Sequence, residues 1–407
     1  MKEKFALIGK TLKHSYSKKI HTLFSKYQYD IVELESDALE RFVKESEYKG
    51  FNATIPYKKE IMEYLDVVDE SAKAIGAVNT VVKRNGKTIG YNTDFLGMIY
   101  MLKKAEIELH DRCVLILGSG GTRNTALAVA KTLGAKSVKT ISRNGEYNYQ
   151  NCYDLIETEV IINTTPVGMY PETDNCPIDI NRFPNLLGVA DVIYNPSLTK
   201  LLFNARERGI KYTNGLSMLV AQAKYAMDLF LSDKFDDGII ESVLEKLQRE
   251  VKNIVLVGMP GSGKSTVANN LSALLDMESI DIDQKIEQKA GKSIPEIFSN
   301  DGEDYFRSLE TEVIKEFGCL SGKIISTGGG AVKRAENYFL LKQNGVIFYI
   351  DRPIEKLSTV GRPLSKDLTA VKKLFEERKE LYEKFADFTI DNGGSLEDTV
   401  KGVIDLL

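Results

Sequence analysis

The stretch Gly258-Met-Pro-Gly-Ser-Gly-Lys-Ser-Thr266, past the middle of a 407-residue chain, constrains the fold more than any other feature. Asn253-Ile-Val-Leu-Val257 ahead of it reads as a buried strand, and Val267 to Leu275 behind it has helical spacing. Strand, glycine loop and helix in that order form a phosphate-binding loop. Its small residues let successive backbone N–H groups turn inward, and the helix N-terminus adds a positive dipole end. Lys264 is placed to reach β/γ-phosphates and the Ser265 hydroxyl to ligate Mg²⁺.

A chain this long holds two or three domains. A net charge of −4 argues against a nucleic-acid partner, because a phosphate backbone demands a basic face. Cys113, Cys152, Cys176 and Cys319 form no CxxC pair or zinc spacing and are expected as reduced thiols. Three histidines leave little material for a His-based triad or metal site. No signal peptide or membrane-length apolar run is present, so the expectation is a cytoplasmic protein without a membrane partner. A homodimer is one candidate for its oligomeric state.

Phe5-Ala-Leu-Ile8 is a short strand that empties into a loop carrying Ser15 and Ser17, two hydroxyls that suit one anionic group, although taken alone such serines more often make a turn or helix cap. Gly50 to Lys58 is a strand ended by proline, with Asn52, Thr54 and Lys58 as its polar residues. Gly76-Ala-Val-Asn-Thr80 and Gly90-Tyr-Asn-Thr-Asp94 each set Asn-Thr beside a strand. Together these segments supply a polar set suited to a small polyhydroxylated acid. Residues 113–214 read differently. Cys113-Val-Leu-Ile-Leu117 runs into Gly118-Ser-Gly-Gly-Thr-Arg-Asn124 and a helix over about 123–133, a dinucleotide-binding turn with the pyrophosphate at the helix start. Where an NAD enzyme places an acid after its second strand, Ser142-Arg143-Asn144 stands, which favours a 2′-phosphate; Glu146 is close by. Further strands are expected at Val160–Asn163, Val189–Ile193 and Lys211–Thr213, and an apolar helix carrying Gln222 opens near Gly215.

In order, His-Ser-x-Ser, Asn-x-Thr-x-Pro-x-Lys, Gly-Ala-x-Asn-Thr, Asn-Thr-Asp, Gly-x-Gly-Gly, Ser-Arg-Asn and Met-Leu-Val-Ala-Gln resemble shikimate dehydrogenase from residue 1 to about 245. The resemblance implies that Ser15 and Ser17 bind the shikimate carboxylate and that Asn52, Thr54, Asn79 and Gln222 hold hydroxyls. Lys58 and Asp94 would be the catalytic pair, and Tyr194 would line the site. Gly118, Gly120, Gly121, Arg143 and Gly215 would hold NADP(H). Ala53 and Ser217 depart from the family's usual valine and glycine, which is expected to adjust packing only.

Asp237 to Lys252 is charged, helical and free of proline, so the joint is expected to be a helix rather than a flexible tether. Past the phosphate loop, Ile280-Asp-Ile-Asp283 reads as a strand whose two acids share a face by the two-residue period. Gly302 to Glu310 starts an amphipathic helix with Phe306, Leu309, Val313 and Phe317 as its core stripe; Arg307 and Glu310 lie one turn apart, so the acid can fix the guanidinium. Ile324-Ile-Ser-Thr-Gly-Gly-Gly330 is a strand emptying into three glycines. Arg378 falls on the apolar face of a helix over 371–386, where a buried charge requires an anionic partner, either a structural ion pair or a bound carboxylate.

Gly-x-Pro-Gly-Ser-Gly-Lys-Ser-Thr, Asp-x-Asp, Phe-Arg-x-x-Glu, Gly-Gly-Gly-Ala, Arg-Pro-Leu and Arg-x-x-Leu-Tyr resemble shikimate kinase over residues 251–407. The resemblance implies ATP binding by Gly261, Ser262, Gly263, Lys264, Ser265 and Thr266, with Arg362 on a mobile lid. Mg²⁺ would be held at Ser265 and Asp281. Asp283 would be the base at the 3-hydroxyl, with Arg307, Arg378, Gly329 and Gly330 binding shikimate. The lid stretch Lys356–Arg362 is short and lacks a further arginine that often packs on adenine.

The expected architecture is α/β: a substrate-binding domain at 1–100 with 215–245, a Rossmann domain at 101–214, and a P-loop domain of nucleoside-monophosphate-kinase type at 251–407. The two halves imply consecutive reactions, 3-dehydroshikimate to shikimate and shikimate to its 3-phosphate. A kinase for another small metabolite would keep Lys264 and Ser265 without setting two arginines opposite Asp283. A ligand sensor built from dead enzymes would have lost Lys58, Asp94, Lys264 or Asp283, and all four are present.

Overall fold

The computed structural model of the chain describes residues 3–12, 16–357 and 368–407. It forms two compact units, one of Met1–Gly168, Asn175–Tyr194 and Leu201–Lys246, the other of Met169–Asp174, Asn195–Lys200 and Leu247–Leu407.

The first unit holds two sheets. β1 (Lys4–Gly9), β2 (Gln28–Glu33), β3 (Gly50–Ala53), β4 (Val67–Val68), β5 (Thr80–Arg84) and β6 (Lys87–Tyr91) align in the order β2-β1-β3-β5-β6-β4. β1 is parallel to β2 and β3, whereas β5 is antiparallel to β3 and β6. The β5–β6 hairpin turns on Asn85 and Gly86, both at positive φ, the backbone that a two-residue turn matching strand twist requires. Ala6, Ile8, Phe51 and Val81 fill the core of this sheet.

β7 (Cys113–Leu117), β8 (Ser137–Ile141), β9 (Val160–Asn163), β10 (Gly188–Asp191) and β11 (Lys211–Thr213) form a second sheet, ordered β11-β10-β9-β7-β8 and parallel throughout. The unbroken apolar runs of β7 and β9 suit strands covered on both faces. The order reverses at β7, which opens a crevice at the carboxyl ends of β7 and β9. Helices Thr93–Lys104 and Leu216–Leu231 join the two sheets. They approach closely at Gly97, where a Cβ would sit 2.7 Å from the Met218 carbonyl oxygen. Met98, Met101 and Leu102 pack into the core of the second sheet, so the division expected at residue 100 falls inside one helix.

The second unit is built on β12 (Asn253–Val257), β13 (Glu278–Asp281), β14 (Lys323–Ser326), β15 (Gly345–Asp351) and β16 (Phe388–Asp391), all parallel in the order β13-β14-β12-β15-β16. Helix Gly238–Val251 precedes β12, as the joint's composition predicts. Two expectations need correction. β13 stops at Asp281, whose carboxylate accepts from Gln284 N and caps helix Ile282–Ala290, so Asp283 lies in a first helical turn rather than on a strand face. In helix Glu303–Gly318, Ile314 is buried with Phe306, Leu309 and Val313, while Phe317 is only half-buried. No helix among the described residues is long and apolar enough to cross a membrane.

Candidate active sites

In the first unit the carboxyl end of β3, the start of β5 and the N-terminus of helix Thr93–Lys104 converge on one polar cluster. Asn92 caps that helix by accepting from Phe95 N at 3.2 Å, which fixes Asp94 in the first turn. Lys58 Nζ donates to Asp94 Oδ2 at 2.6 Å, and both side chains remain partly open to solvent. Beside them Asn79 is 3% exposed. Its Oδ1 accepts from Thr93 N at 2.7 Å, and its Nδ2 donates to Thr93 Oγ1 at 3.1 Å and weakly to Gln222 Oε1 at 3.5 Å. Gln222 Nε2 donates to the Leu219 carbonyl within its own helix. Thr54 follows β3 and is half-buried. Ser17 opens helix Ser17–Phe24, and Ser15 lies outside the described residues.

Asn52, like Asn79, is held on both polar atoms by protein partners. It is 5% exposed; Tyr29 Oη donates to its Oδ1 at 2.7 Å, and its Nδ2 donates to Thr80 Oγ1 at 2.9 Å. Tyr29 in turn stacks on the buried His21 ring at 3.8 Å, whose imidazole burial holds neutral, far below its ordinary pKa. Asn52, Thr80 and Thr93 thus form a buried scaffold behind Asn79. Tyr29, Thr80 and Thr93 were missed in the sequence because their partners are 13 to 28 residues away in the chain.

At the crevice of the second sheet, Gly118 has φ +115° and a Cβ there would lie 2.8 Å from Thr164 Oγ1, so glycine is required by the fold itself. Gly120 and Gly121, at the start of helix Gly121–Thr132, face open space, and no side chain caps that N-terminus. Arg123 Nε is buried without a partner beside it. Uncapped N–H groups and an orphaned guanidinium fit an anionic pyrophosphate. Arg143 is exposed just past β8. Tyr194 meets the Tyr16 ring edge-on at 5.6 Å, and burial raises its phenol above the ordinary range. Gly215 precedes helix Leu216–Leu231, where a Cβ would overlap the Val192 carbonyl; close backbone approach explains this glycine. Asp191, fully buried, accepts from Asn163 Nδ2 and Ile193 N at 3.0 Å each and shapes the strand ends of β9 and β10.

In the second unit a cavity of about 520 Å³ spans the phosphate loop and the glycines after β14. Gly263, at φ +92°, leads into helix Lys264–Leu275. Lys264 Nζ donates to the Gly258 and Met259 carbonyls at 2.9 Å each, which folds the loop around its own lysine. Asn392 Nδ2 donates to the Ser262 carbonyl at 2.6 Å and ties the loop to β16. Ser265 Oγ donates to Asp281 Oδ2 at 2.7 Å. A hydroxyl and a carboxylate this close are oxygen donors of the kind Mg²⁺ takes, with phosphate and water completing its shell. Thr266 is exposed in the first helical turn, and Arg362 lies outside the described residues.

The three glycines each admit a different neighbour. A Cβ on Gly328 would sit 2.6 Å from Asp283 Oδ1 and 2.8 Å from Glu310 Oε1; one on Gly329 would strike Pro260, and one on Gly330 would overlap the Arg307 guanidinium. Arg307 donates to Glu310 Oε2 at 2.6 Å and to Glu303. Arg378, 2% exposed, donates to the Gly329 carbonyl at 3.0 Å, so its first partner is a backbone oxygen rather than an acid. Arg378 Nε and Glu310 Oε1 are both buried without partners. Burial first, then the charges of Glu310 and Asp281, push the Asp283 carboxyl up to about 7. A cavity with Arg307 and Arg378, an elevated carboxyl and a phosphate loop is equipped to hold a small hydroxy acid against a phosphoryl donor.

A family model described as shikimate dehydrogenase substrate binding domain matches residues 7–81, and one described as shikimate kinase matches residues 260–407. The chain is 34% identical to the shikimate dehydrogenase (NADP(+)) of Clostridium beijerinckii, over 61% of this chain and all of that one. Among solved structures it is similar to a chorismate mutase/shikimate 5-dehydrogenase fusion protein from Clostridium acetobutylicum (36% identity, TM-score 0.59, 61% of this chain and 97% of that one). Shikimate 5-dehydrogenase from Thermus thermophilus, solved with NADP(H) and shikimate, matches at 28% identity and TM-score 0.55, over 60% of this chain and 99% of that one. The chain therefore belongs to the shikimate dehydrogenase family through its first three-fifths and continues into a shikimate kinase domain, one polypeptide joining two enzymes of the shikimate pathway.

Proposed function

We propose that the first unit reduces 3-dehydroshikimate to shikimate with NADPH and that the second phosphorylates the shikimate 3-hydroxyl with ATP and Mg²⁺. The observation that carries this reading is the meeting, in one cavity, of a phosphate loop with Asp283, Arg307 and Arg378. Residues 1–100 with 215–245 serve substrate binding, 101–214 serve NADP, and 251–407 serve phosphorylation. We place the enzyme in the cytoplasm with its soluble substrates.

Bound NADPH supplies the hydride, and ATP with its Mg²⁺ supplies the phosphoryl group. Lys58 stabilises negative charge on the substrate ketone oxygen and gives that oxygen a proton, a role worth about 10²–10⁴ in rate. Asp94 orients the ammonium and accepts from a substrate hydroxyl. Ser15 and Ser17 take the carboxylate, while Thr54, Asn79 and Gln222 hold hydroxyls and Tyr194 lines the pocket. Asn52 joins them in holding a hydroxyl and also braces Asn79 by donating to its backbone carbonyl at 3.2 Å. Gly118, Gly120, Gly121, Arg143 and Gly215 form the NADP side, with Arg143 taking the 2′-phosphate.

In the second unit Asp283 accepts the proton of the substrate hydroxyl. Arg307, Arg378 and the backbone at Gly329 and Gly330 hold the shikimate carboxylate and ring. Gly261 to Thr266 cradle phosphates, Arg362 adds a further contact to ATP, and Ser265 with Asp281 holds the metal. The two activities separate by mutation: Lys58→Ala removes most NADPH-linked turnover and leaves ATP-linked turnover intact, and Asp283→Asn does the reverse. Loss of both activities from either substitution would contradict independent sites, and ligand binding without turnover in the unaltered protein would mark a sensor.

A further inference from the structure

Four cationic side chains line the cavity of the second unit, and three are engaged by the protein. Lys264 holds two loop carbonyls, Arg307 pairs with Glu303 and Glu310, and Arg378 donates to Gly329 O. Arg352 is different. No hydrogen bond or ion pair to its side chain occurs among the described residues, and its Nε is buried without a partner.

Its position follows from the topology. Arg352 comes directly after β15, the strand parallel to β12, so it emerges beside the phosphate loop that β12 feeds. A Cβ on Gly263 would lie 3.4 Å from Arg352 Nη1 and 3.0 Å from Asn392 Nδ2. Asn392 is held by accepting from Thr399 Oγ1 at 2.8 Å, which leaves the guanidinium against a fixed turn. A buried N–H without an acceptor is unfavourable, so the arrangement is completed by a ligand that brings one. The neighbouring loop and helix N-terminus select anionic oxygens, and a planar guanidinium matches phosphate with two parallel N–H donors.

We propose that Arg352 is a nucleotide-binding residue that contacts the polyphosphate of the phosphoryl donor where it passes Gly263. The proposal rests on the kinase reading of this unit and adds a charge contact from outside the phosphate loop and the lid. Because the contact is to groups that do not react, it acts on binding rather than on the chemical step.

The test is steady-state kinase kinetics on the full chain with Arg352→Gln. Loss of one charge-assisted contact raises KM for ATP about 10- to 100-fold, with kcat and KM for shikimate within about threefold. Competitive inhibition constants against ATP locate the contact: that of ADP rises with KM, and that of adenosine does not. Arg352→Lys restores part of the affinity. Unchanged KM for ATP would overturn the proposal, as would equal weakening of ADP and adenosine, which would place the side chain on the base. If Arg352→Gln does not fold, Arg352→Lys carries the test, with an intermediate rise for ATP and ADP expected and unchanged constants contradicting it. Failure of the unaltered protein to phosphorylate shikimate would instead refute the kinase reading.

Discussion

Replacing Asp283 by asparagine should remove an activity and strengthen a fold. Burial, with Glu310 and Asp281 nearby, lifts this carboxyl from 3.8 to about 7. Holding the ionised form in that site therefore costs roughly 4 kcal/mol relative to water. Since folding raises this pKa, the native state binds the proton more tightly than the unfolded chain between the two values. Native stability accordingly falls as pH rises through that window, and the penalty is complete above about 7. Asparagine keeps the shape and removes the ionisation. At about 2–4 °C per kcal/mol for a domain of this size, and with the full penalty as an upper bound, the variant gains several degrees at pH 8 and almost nothing at pH 4. Kinase turnover drops about 10²–10⁴-fold with loss of the base. The assay is calorimetry of ligand-free protein at both pH values, following the transition that ATP raises. A variant no more stable than the original at pH 8, or equally stabilised at both pH values, would refute the argument that Asp283 is a strained, functional carboxyl.

Three further substitutions probe the sites. Glu310→Gln removes a negative neighbour of Asp283, so the acid limb of kinase kcat/KM, expected near 7, moves to lower pH; a stationary limb contradicts the coupling. Gly330→Ala places a Cβ against the Arg307 guanidinium and raises kinase KM for shikimate about 5- to 100-fold with dehydrogenase kinetics intact, and equal KM values would show that Arg307 is free to move. Tyr29→Phe deprives Asn52 Oδ1 of its donor and, at about 1 kcal/mol, raises dehydrogenase KM for 3-dehydroshikimate about fivefold, with KM for NADPH unchanged; a parallel rise in both would mean general loosening of the unit.

Most elements of both units were legible because β-branched runs and glycine turns are local signals. β7, β9, β11 and β12 begin and end where their composition predicts. Arg307 with Glu310 follows from helical spacing, and the burial of Arg378 follows from the apolar face it shares with Tyr382. Ile280 to Asp283 was misread because alternation of apolar and acidic residues looks like a strand, whereas Asp281 caps the helix that carries Asp283. The role of Asn52 depends on a tyrosine 23 residues away, and the need for Gly328 depends on two carboxylates from separate helices. Arg352 carries no local signal, since it is defined by a loop some ninety residues earlier in the chain. Contacts of that separation are set by sheet order, which no single stretch encodes.

The central claim is that two nucleotide-fed sites in one chain act in sequence on the same carbon skeleton. The direct measurement supplies the purified protein with 3-dehydroshikimate, NADPH, ATP and Mg²⁺ and follows NADPH absorbance, ADP formation and product mass together. The account predicts shikimate 3-phosphate, with one NADPH oxidised and one ADP formed for each molecule made. Shikimate that accumulates without ATP consumption, or 3-dehydroshikimate that is left unreduced, would contradict it.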